Sequence, residues 1–214
     1  MLILGRNNDD KGTQLEQFTC DVLRRLGYIN VTPNEVRSGA EELDVTGEYH
    51  IPVPGSNPQI QRLIAECKAT KTPLDISVWH KFLGKIYTEE MKTGKQAYGC
   101  IIALSGANGN CLGAYKDFQL HSTRIRLLAS DDLLTLLREM YSLAPEKDVA
   151  QFVSARTTRT TVHIDVAYYS SSVYWYVRFD DDTFTLASGG GHALEAVIAE
   201  TMAKIGRASC RERV

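Results

Sequence analysis

The chain has 214 residues, of which 43% are hydrophobic and 23% are charged, and its formal net charge is −2 at pH 7. This composition supports a packed core and excludes collagen, a coiled coil and wholesale disorder. A net charge near zero gives no general attraction to nucleic acid, so contacts with DNA or RNA would have to come from a local basic surface.

The cysteines and the N-terminus indicate where the protein works. The five cysteines form no C-x-x-C pair and lie mostly among apolar residues, which is typical of reduced core thiols rather than a zinc or disulfide framework. The start, MLILGRNNDD, has too short an apolar stretch for a signal peptide, and no apolar run reaches membrane-spanning length. We therefore expect a cytoplasmic protein with no membrane partner.

The first elements predicted are one helix and three strands. KGTQLEQFTCDVLRRLGY has apolar residues at helical spacing, Gly27 as a stop, and the capping-box spacing in Thr13 and Glu16. Strand composition follows at residues 34–36, 43–47 and 62–68.

Helices and strands then alternate. DISVWHKFLGKIYTEEM predicts a helix, and AYGCIIAL predicts a strand that is buried on both faces. A short helix, a strand and a further helix are predicted at residues 111–118, 124–129 and 130–143. Because helices that connect parallel strands cover the sheet, residues 1–143 are predicted to form an α/β domain with three layers, α/β/α, and a mixed central sheet.

A small α+β module is predicted after a boundary at LAPEKD, over residues 149–204. Alternating β-branched and aromatic residues predict two or three strands, and GGGHALEAVIAETMAK predicts a helix. The aromatic strand residues are expected in a sheet core or an interface, with a base-stacking surface as the alternative: Tyr168, Tyr169, Tyr174, Trp175 and Tyr176. The role of the module is open.

The last ten residues, IGRASCRERV at 205–214, resemble a translated sequencing adaptor. On that resemblance they are a non-native tail to be excluded from fold reasoning. The natural chain could then extend past residue 204, with residues 1–204 as the effector end of a longer protein that carries an NTPase or sensor domain.

The segment RLIAECKAT, residues 62–70, places an acid and an amine two positions apart in an apolar strand. Strand alternation puts Glu66 and Lys68 on one face, and an adjacent antiparallel strand could bring Asp44 beside Glu66. Ionised side chains leave water at a cost of several kcal/mol unless they are paired or bind a metal. An isolated E-x-K triplet has a simple alternative interpretation as a solvated surface ion pair.

The combination of two carboxylates and a lysine has a definite chemistry. Two close carboxylates raise each other's pKa unless a cation neutralises them, and Mg²⁺ prefers oxygen ligands while it keeps several waters. A neighbouring lysine can orient a water and stabilise charge on a phosphate. These residue types suit the hydrolysis of a phosphodiester.

This order of residues resembles the PD-(D/E)xK nuclease superfamily, and within it the Mrr-like restriction endonuclease catalytic domain. The resemblance implies a restriction-endonuclease-like fold, DNA as substrate, and Mg²⁺ as cofactor with Mn²⁺ as a substitute. It implies metal ligation by Asp44, Glu66 and the main-chain carbonyl of Cys67. It further implies Lys68 as the group that orients water, and Glu16 as an additional catalytic ligand or a supporting residue.

The resemblance covers roughly residues 10–140, and the sequence departs from the family pattern at two points. SGAEELD is longer than the usual tight turn before Asp44, so Glu41 or Glu42 could replace that residue. The helix position where relatives often carry Gln is Lys81 here.

Lysines are frequent after Glu66, Cys67 and Lys68, which form an E-C-K triplet. Lys81 and Lys85 are four residues apart on the predicted helix and therefore share a face. As nucleic-acid-binding residues they would contact the DNA backbone without reading sequence, and an ordinary solvated helix face is the alternative.

The leading interpretation is a Mg²⁺-dependent endonuclease that hydrolyses DNA phosphodiester bonds in prokaryotic restriction or defence. The alternative, motivated by the long segment before Asp44, is a catalytically inactive nuclease-like domain that binds or senses nucleic acid. The sequence leaves open a homodimer as the working form and RNA as the substrate.

Overall fold

A computed structural model describes residues 1–36, 42–196 and 198–200. The chain forms two compact units: one comprises residues 15–130, and the other comprises residues 1–14 with the described residues from 131 onward. The division predicted from sequence, at residues 143–149, stays a prediction of domain organisation. The suspected tail and Glu41 lie outside the described residues.

The described residues form five helices and nine strands with assigned bounds. In chain order they are β1 (Leu2–Ile3), α1 (Asn8–Arg25), β2 (Ile29–Val36), β3 (Glu42–Ile51), β4 (Gln59–Lys68), α2 (Ile76–Thr93), β5 (Ala97–Ala103), α3 (Gly109–Gln119), β6 (Ile125–Leu128), α4 (Ser130–Tyr141), α5 (Glu146–Ser154), β7 (Thr161–Tyr169), β8 (Ser172–Phe179) and β9 (Phe184–Ser188). No helix among these described elements is both long and apolar enough to span a bilayer.

The first unit is built on a five-stranded sheet in the order β2-β3-β4-β5-β6. Strands β2, β3 and β4 pair antiparallel, whereas β4, β5 and β6 pair parallel through the crossover helices α2 and α3. The predicted mixed sheet, with alternating helices and strands in its second half, is therefore confirmed.

Helices cover both faces of this sheet at β4. Glu66 and Cys67 are consecutive on the strand, so their side chains project to opposite faces. The hydroxyl of Thr19 on α1 lies 3.2 Å from the Cys67 sulfur, and Lys85 on α2 reaches Glu66 on the other face. The predicted three-layer α/β/α arrangement is confirmed by these contacts.

Helix α2 is fixed at both ends and along its buried side. The Asp75 carboxylate accepts hydrogen bonds from the Ser77 and Val78 amides, and Gly94 ends the helix at φ 64°. Phe82 and Ile86 pack in the core below the helix. This packing fixes the distance between helix α2 and strand β4.

Helix α1 begins three residues earlier than the sequence predicts. The Asn7 side-chain oxygen accepts a hydrogen bond from the Asp10 amide, which is the geometry of an N-cap. The predicted capping box at Thr13 and Glu16 is therefore wrong, because both residues lie inside the helix. Glu16 needs another explanation.

The second unit has a four-stranded sheet in the order β1-β7-β8-β9, with β1 parallel to β7 and the others antiparallel. Tyr168, Tyr174 and Trp175 are buried, and the Tyr176 ring stacks on Phe184 with centroids 5.0 Å apart. These contacts confirm the sheet-core interpretation of the aromatic residues. With helical residues at 196 and 198–200, this part is α+β as predicted.

Candidate active site

Strands β3 and β4 bring Asp44 to the E-C-K triplet. Val45 pairs with Ala65, and continuing that antiparallel register by one residue sets Asp44 opposite Glu66. The Asp44 Oδ2 atom accepts a hydrogen bond of 2.7 Å from the Cys67 amide. Asp44 therefore lies beside Glu66 on the neighbouring strand, as the sequence predicted.

Glu66 is the buried centre of the cluster, since only 7% of its surface is exposed. Its two oxygens contact two different ammonium groups: Oε1 lies 2.6 Å from Lys68 Nζ, and Oε2 accepts from Lys85 Nζ at 2.5 Å. Hydrogen bonds between an ammonium and a carboxylate are roughly twice as strong as those between neutral groups. Glu66 thus binds one lysine of its own strand and one lysine of helix α2.

The two facing carboxylates have pKa values that move in opposite directions. Burial raises the pKa of Asp44, and the charge of Glu66 adds to that effect against the opposing Cys67 hydrogen bond. Burial also acts to raise the pKa of Glu66, but the hydrogen bonds and charges of Lys68 and Lys85 outweigh it, so this pKa is lowered. Glu66 is fully ionised, whereas Asp44 carries a charge that its surroundings compensate incompletely.

Lys68 is held in its ammonium form. Burial acts to lower its pKa, but the hydrogen bond and charge of Glu66, together with the charge of Asp44, raise the pKa on balance. An ammonium group is a donor without an acceptor. Lys68 can therefore orient a water or stabilise negative charge, but it cannot take a proton.

Glu16 lies near the same cluster from helix α1. Its Oε2 accepts a hydrogen bond of 2.8 Å from the Asn34 amide group. Burial raises the pKa of Glu16, the Asn34 bond opposes this, and the charges of Asp44 and Glu42 raise the pKa further. Glu16 is therefore within electrostatic reach of the site. Asn34, at φ 52°, takes a left-handed conformation that asparagine tolerates better than most residues.

The other residues considered in the sequence take different positions. Glu42 lies exposed at the first position of β3, and Lys81 lies exposed on α2. Lys85, which was predicted to share a face with Lys81, contacts Glu66, and its contact with DNA stays a prediction. Only the packing of α2 against the sheet reveals the contact with Glu66, since no local pattern links residue 85 to residue 66.

The donor atoms of the site match a hard divalent cation in type. Among the described residues, no group of three or more His, Cys, Asp or Glu side chains is gathered closely enough to hold a metal. Asp44 and Glu66 supply carboxylate oxygens and Cys67 supplies a main-chain carbonyl, which are ligands that Mg²⁺ accepts. Counting Glu16, the cluster has three carboxylates against two ammonium groups, and the Asp44 pKa shows incomplete compensation. The residues fit such a cation once a lysine releases Glu66.

We expect Asp44→Asn to stabilise the metal-free protein. Because burial and Glu66 raise the folded-state pKa of Asp44, its ionised form costs stability at neutral pH. Asparagine keeps an oxygen acceptor for the Cys67 amide without that charge. The melting temperature should rise by a few degrees at pH 7, and the gain should disappear as pH falls through the folded pKa, where Asp44 is itself neutral. Thermal unfolding at several pH values in a chelator measures this difference.

A second charged network lies further along the same strand. Arg62 on β4 contacts Glu89 at 2.7 Å, Glu35 at 2.8 Å and Glu48 at 3.8 Å. These four side chains also line an open cavity of about 480 Å³. Because Arg62 is already shared among three carboxylates, this network fits a role in holding α2 to the sheet and in linking strands β2, β3 and β4.

Comparisons with known proteins return matches to solved structures alone. No known protein family matches the sequence, and no curated protein matches it. Four chains of solved structures do match. Three of them, together with their coverage, show the level of similarity.

The DNA modification-dependent restriction endonuclease AspBHI is 14% identical, with a TM-score of 0.43 over 58% of this chain and 30% of its own. A protein of unknown function, AF1548, is 13% identical, with a TM-score of 0.45 over 68% of this chain and 78% of its own. The MspJI restriction endonuclease, solved with a 27-mer oligonucleotide, is 11% identical, with a TM-score of 0.39 over 60% of this chain. This chain spans only 30% of AspBHI and 27% of MspJI.

Proposed function

We propose that the unit of residues 15–130 is a Mg²⁺-dependent endonuclease that hydrolyses DNA phosphodiester bonds, with Mn²⁺ as a substitute cofactor. The observation that carries the proposal is the convergence of Asp44, Glu66 and Lys68 where β3 and β4 meet. The combination of incompletely compensated carboxylates and a fixed ammonium suits an anionic substrate that binds together with a cation.

The residues take separate roles in this proposal. Asp44, Glu66 and the carbonyl of Cys67 would hold the ion, which when bound supplies Lewis-acid stabilisation of the phosphoryl group. Lys68, held as an ammonium, would orient the attacking water and stabilise developing charge on the phosphate. Glu16, fixed by Asn34, would support the site from α1.

The surroundings of the site define the wider proposal. Exposed Lys81 would contact the DNA backbone, and prokaryotic restriction or defence in the cytoplasm is the setting that we propose. We also propose a homodimer, which would place one such site at each strand of a duplex. A further NTPase or sensor domain in the natural chain belongs to the same proposal.

Cleavage should depend on a divalent cation. Supercoiled plasmid incubated with the protein should be nicked or linearised in Mg²⁺ or Mn²⁺ and should stay intact in a chelator. Restoring Mg²⁺ after chelation should restore cutting, which separates metal dependence from denaturation. Gel electrophoresis of the plasmid measures the outcome, and cutting that persists at full rate in the chelator would contradict the proposed chemistry.

The alternative, a domain that binds nucleic acid without cutting it, has one observation in its favour. Both oxygens of Glu66 are taken by lysines, and Asp44 Oδ2 already accepts the Cys67 amide. Because both lysines are held by Glu66, such a domain would bind the phosphate backbone through other basic side chains, such as exposed Lys81, and would hold no cation. DNA affinity together with intact plasmid in both Mg²⁺ and Mn²⁺ would favour this function over the first.

A further inference from the structure

Glu66 contacts two lysines that come from two different elements, β4 and α2. Lys68 and Lys85 contact its two oxygens separately, at 2.6 and 2.5 Å. Burying a charged lysine costs free energy that a partner has to offset. Lys85 therefore depends on the same two carboxylates that a bound cation would use: Glu66, which it contacts, and Asp44, whose charge it also compensates.

Lys85 is placed there by the buried side of helix α2. It lies three residues after Phe82 and four before Glu89, both of which are buried, so it occupies the side of the helix that faces the sheet. Its side chain retains only 21% of its exposure. The sequence thus commits a lysine to a position that would otherwise suit an apolar residue.

The two lysines differ in the carboxylates with which they interact besides Glu66. Lys68 interacts electrostatically with Asp44 and Glu16 as well as with Glu66. Lys85, which comes from another element, acts on Glu66 and Asp44. A cation that binds between Asp44 and Glu66 would remove the attraction that holds Lys85, while Lys68 would keep Glu16 nearby. Lys85 is the ammonium that such an ion would displace.

We propose that Lys85 is a displaceable counter-ion, which occupies Glu66 in the metal-free protein and turns to a DNA phosphate when a divalent cation replaces it. This inference rests on the proposed metal site. A lysine is a compact charge on a flexible four-carbon stem, so it can change partners without movement of the helix. Metal binding and DNA binding are then coupled, and each strengthens the other by the same factor.

The first test measures metal affinity without DNA. Titration calorimetry with Mn²⁺ compares the parent chain with Lys85→Met, which keeps the length of the side chain and removes its charge. We expect Lys85→Met to bind Mn²⁺ about tenfold more tightly, a factor within the range typical of coupled sites. Lys116→Met, which removes an exposed charge on α3, serves as the matched control and should bind as the parent does.

Lys85→Arg gives a prediction of opposite sign. A guanidinium can grip a carboxylate with two parallel hydrogen bonds, so it should be harder to displace than an ammonium. Mn²⁺ should bind this variant more weakly than the parent. Because it keeps the buried charge pair, Lys85→Arg also remains informative should Lys85→Met fail to fold, which circular dichroism would show.

The second test measures DNA affinity against salt, with and without Ca²⁺ as an oxygen-preferring cation. Each phosphate neutralised by the protein contributes about 0.9 to the slope of log affinity against log salt. Ca²⁺ should steepen the slope by about one contact in the parent and leave it unchanged in Lys85→Met. Fluorescence anisotropy of a short labelled duplex, with a gel to confirm that it is uncut, provides the measurement.

The outcomes separate the two levels of the proposal. If the parent binds Mn²⁺ and Asp44→Asn does not, the metal site stands. If Lys85→Met then binds Mn²⁺ as tightly as the parent or more weakly, the displacement of Lys85 is wrong and the metal site is unaffected. The same follows if Ca²⁺ leaves the salt dependence of DNA affinity unchanged in the parent. If the parent binds no divalent cation, both the metal site and the role of Lys85 are wrong.

Discussion

Lys68→Ala will lower the rate of DNA cleavage by about 10²–10³-fold, the loss typical when one preorganised charge donor is removed from a site. The reason is that Lys68, kept as an ammonium by Glu66 and Asp44, is the cation placed on the E-C-K strand itself. The fold should survive the change, because Lys85 remains on Glu66 and the buried carboxylate keeps a partner. Single-turnover cleavage of a plasmid in Mg²⁺ measures the rate.

Asp44→Ala should lose as much activity but should cost stability as well. Removing the carboxylate leaves the part-buried Cys67 amide without the acceptor that it has at 2.7 Å, a loss of at most about 1–3 kcal/mol. Asp44→Asn keeps an acceptor, so it should be inactive and stable together. Inactivity in both variants with unfolding in neither assigns the loss to chemistry.

Lys116→Ala provides the comparison for these rates. Its side chain is exposed on α3 and takes no part in the cluster, so its removal should leave the rate within about twofold of the parent, as expected of an exposed residue away from any special feature. If Lys68→Ala and Asp44→Ala cut as fast as Lys116→Ala, the assignment of the site is wrong.

The placement of Asp44 could be predicted from sequence because strand geometry is local and periodic. Side chains alternate between faces, so an apolar flank on each side of Asp44 and the E-x-K spacing are enough to suggest that the acids meet across two neighbouring strands. The same regularity predicted the mixed sheet and its crossover helices. The pKa of Asp44 is raised and that of Glu66 is lowered because both residues are buried while two lysines contact Glu66. Both causes arise only when the sheet and its helices are assembled.

Other features depend on long-range packing or on competing local signals. Lys85 and Glu66 are 19 residues apart in the sequence, and they come into contact because α2 packs against β4. The capping box failed because Asn7 caps α1 earlier, which turned a plausible terminal pair into interior residues. Strand β1 has two residues, and α5 starts beside the proline of the segment predicted to be a domain boundary, so neither carries enough periodicity to be recognised.

Arg62→Met will destabilise the protein by about 3–5 kcal/mol, the range for breaking a buried ion pair by removal of one partner. Arg62 contacts Glu89, which is only 2% exposed, and it also contacts Glu35 and Glu48. Without the guanidinium, three like charges are left near one another on α2, β2 and β3. Urea unfolding at pH 7, followed by circular dichroism, measures the change in the free energy of unfolding.

The double variant Arg62→Met/Glu89→Leu isolates the cause. It removes the buried carboxylate together with its cation, and replacing both members of a buried pair with apolar groups is often neutral or stabilising. We therefore expect it to recover a large part of the stability that Arg62→Met loses. A double variant no more stable than the single one would mean that Arg62 acts through packing of its stem rather than through its charge. Since this network also ties α2 to the sheet, loss of Arg62 should loosen the position of Lys85 over Glu66 and weaken cleavage in parallel with stability.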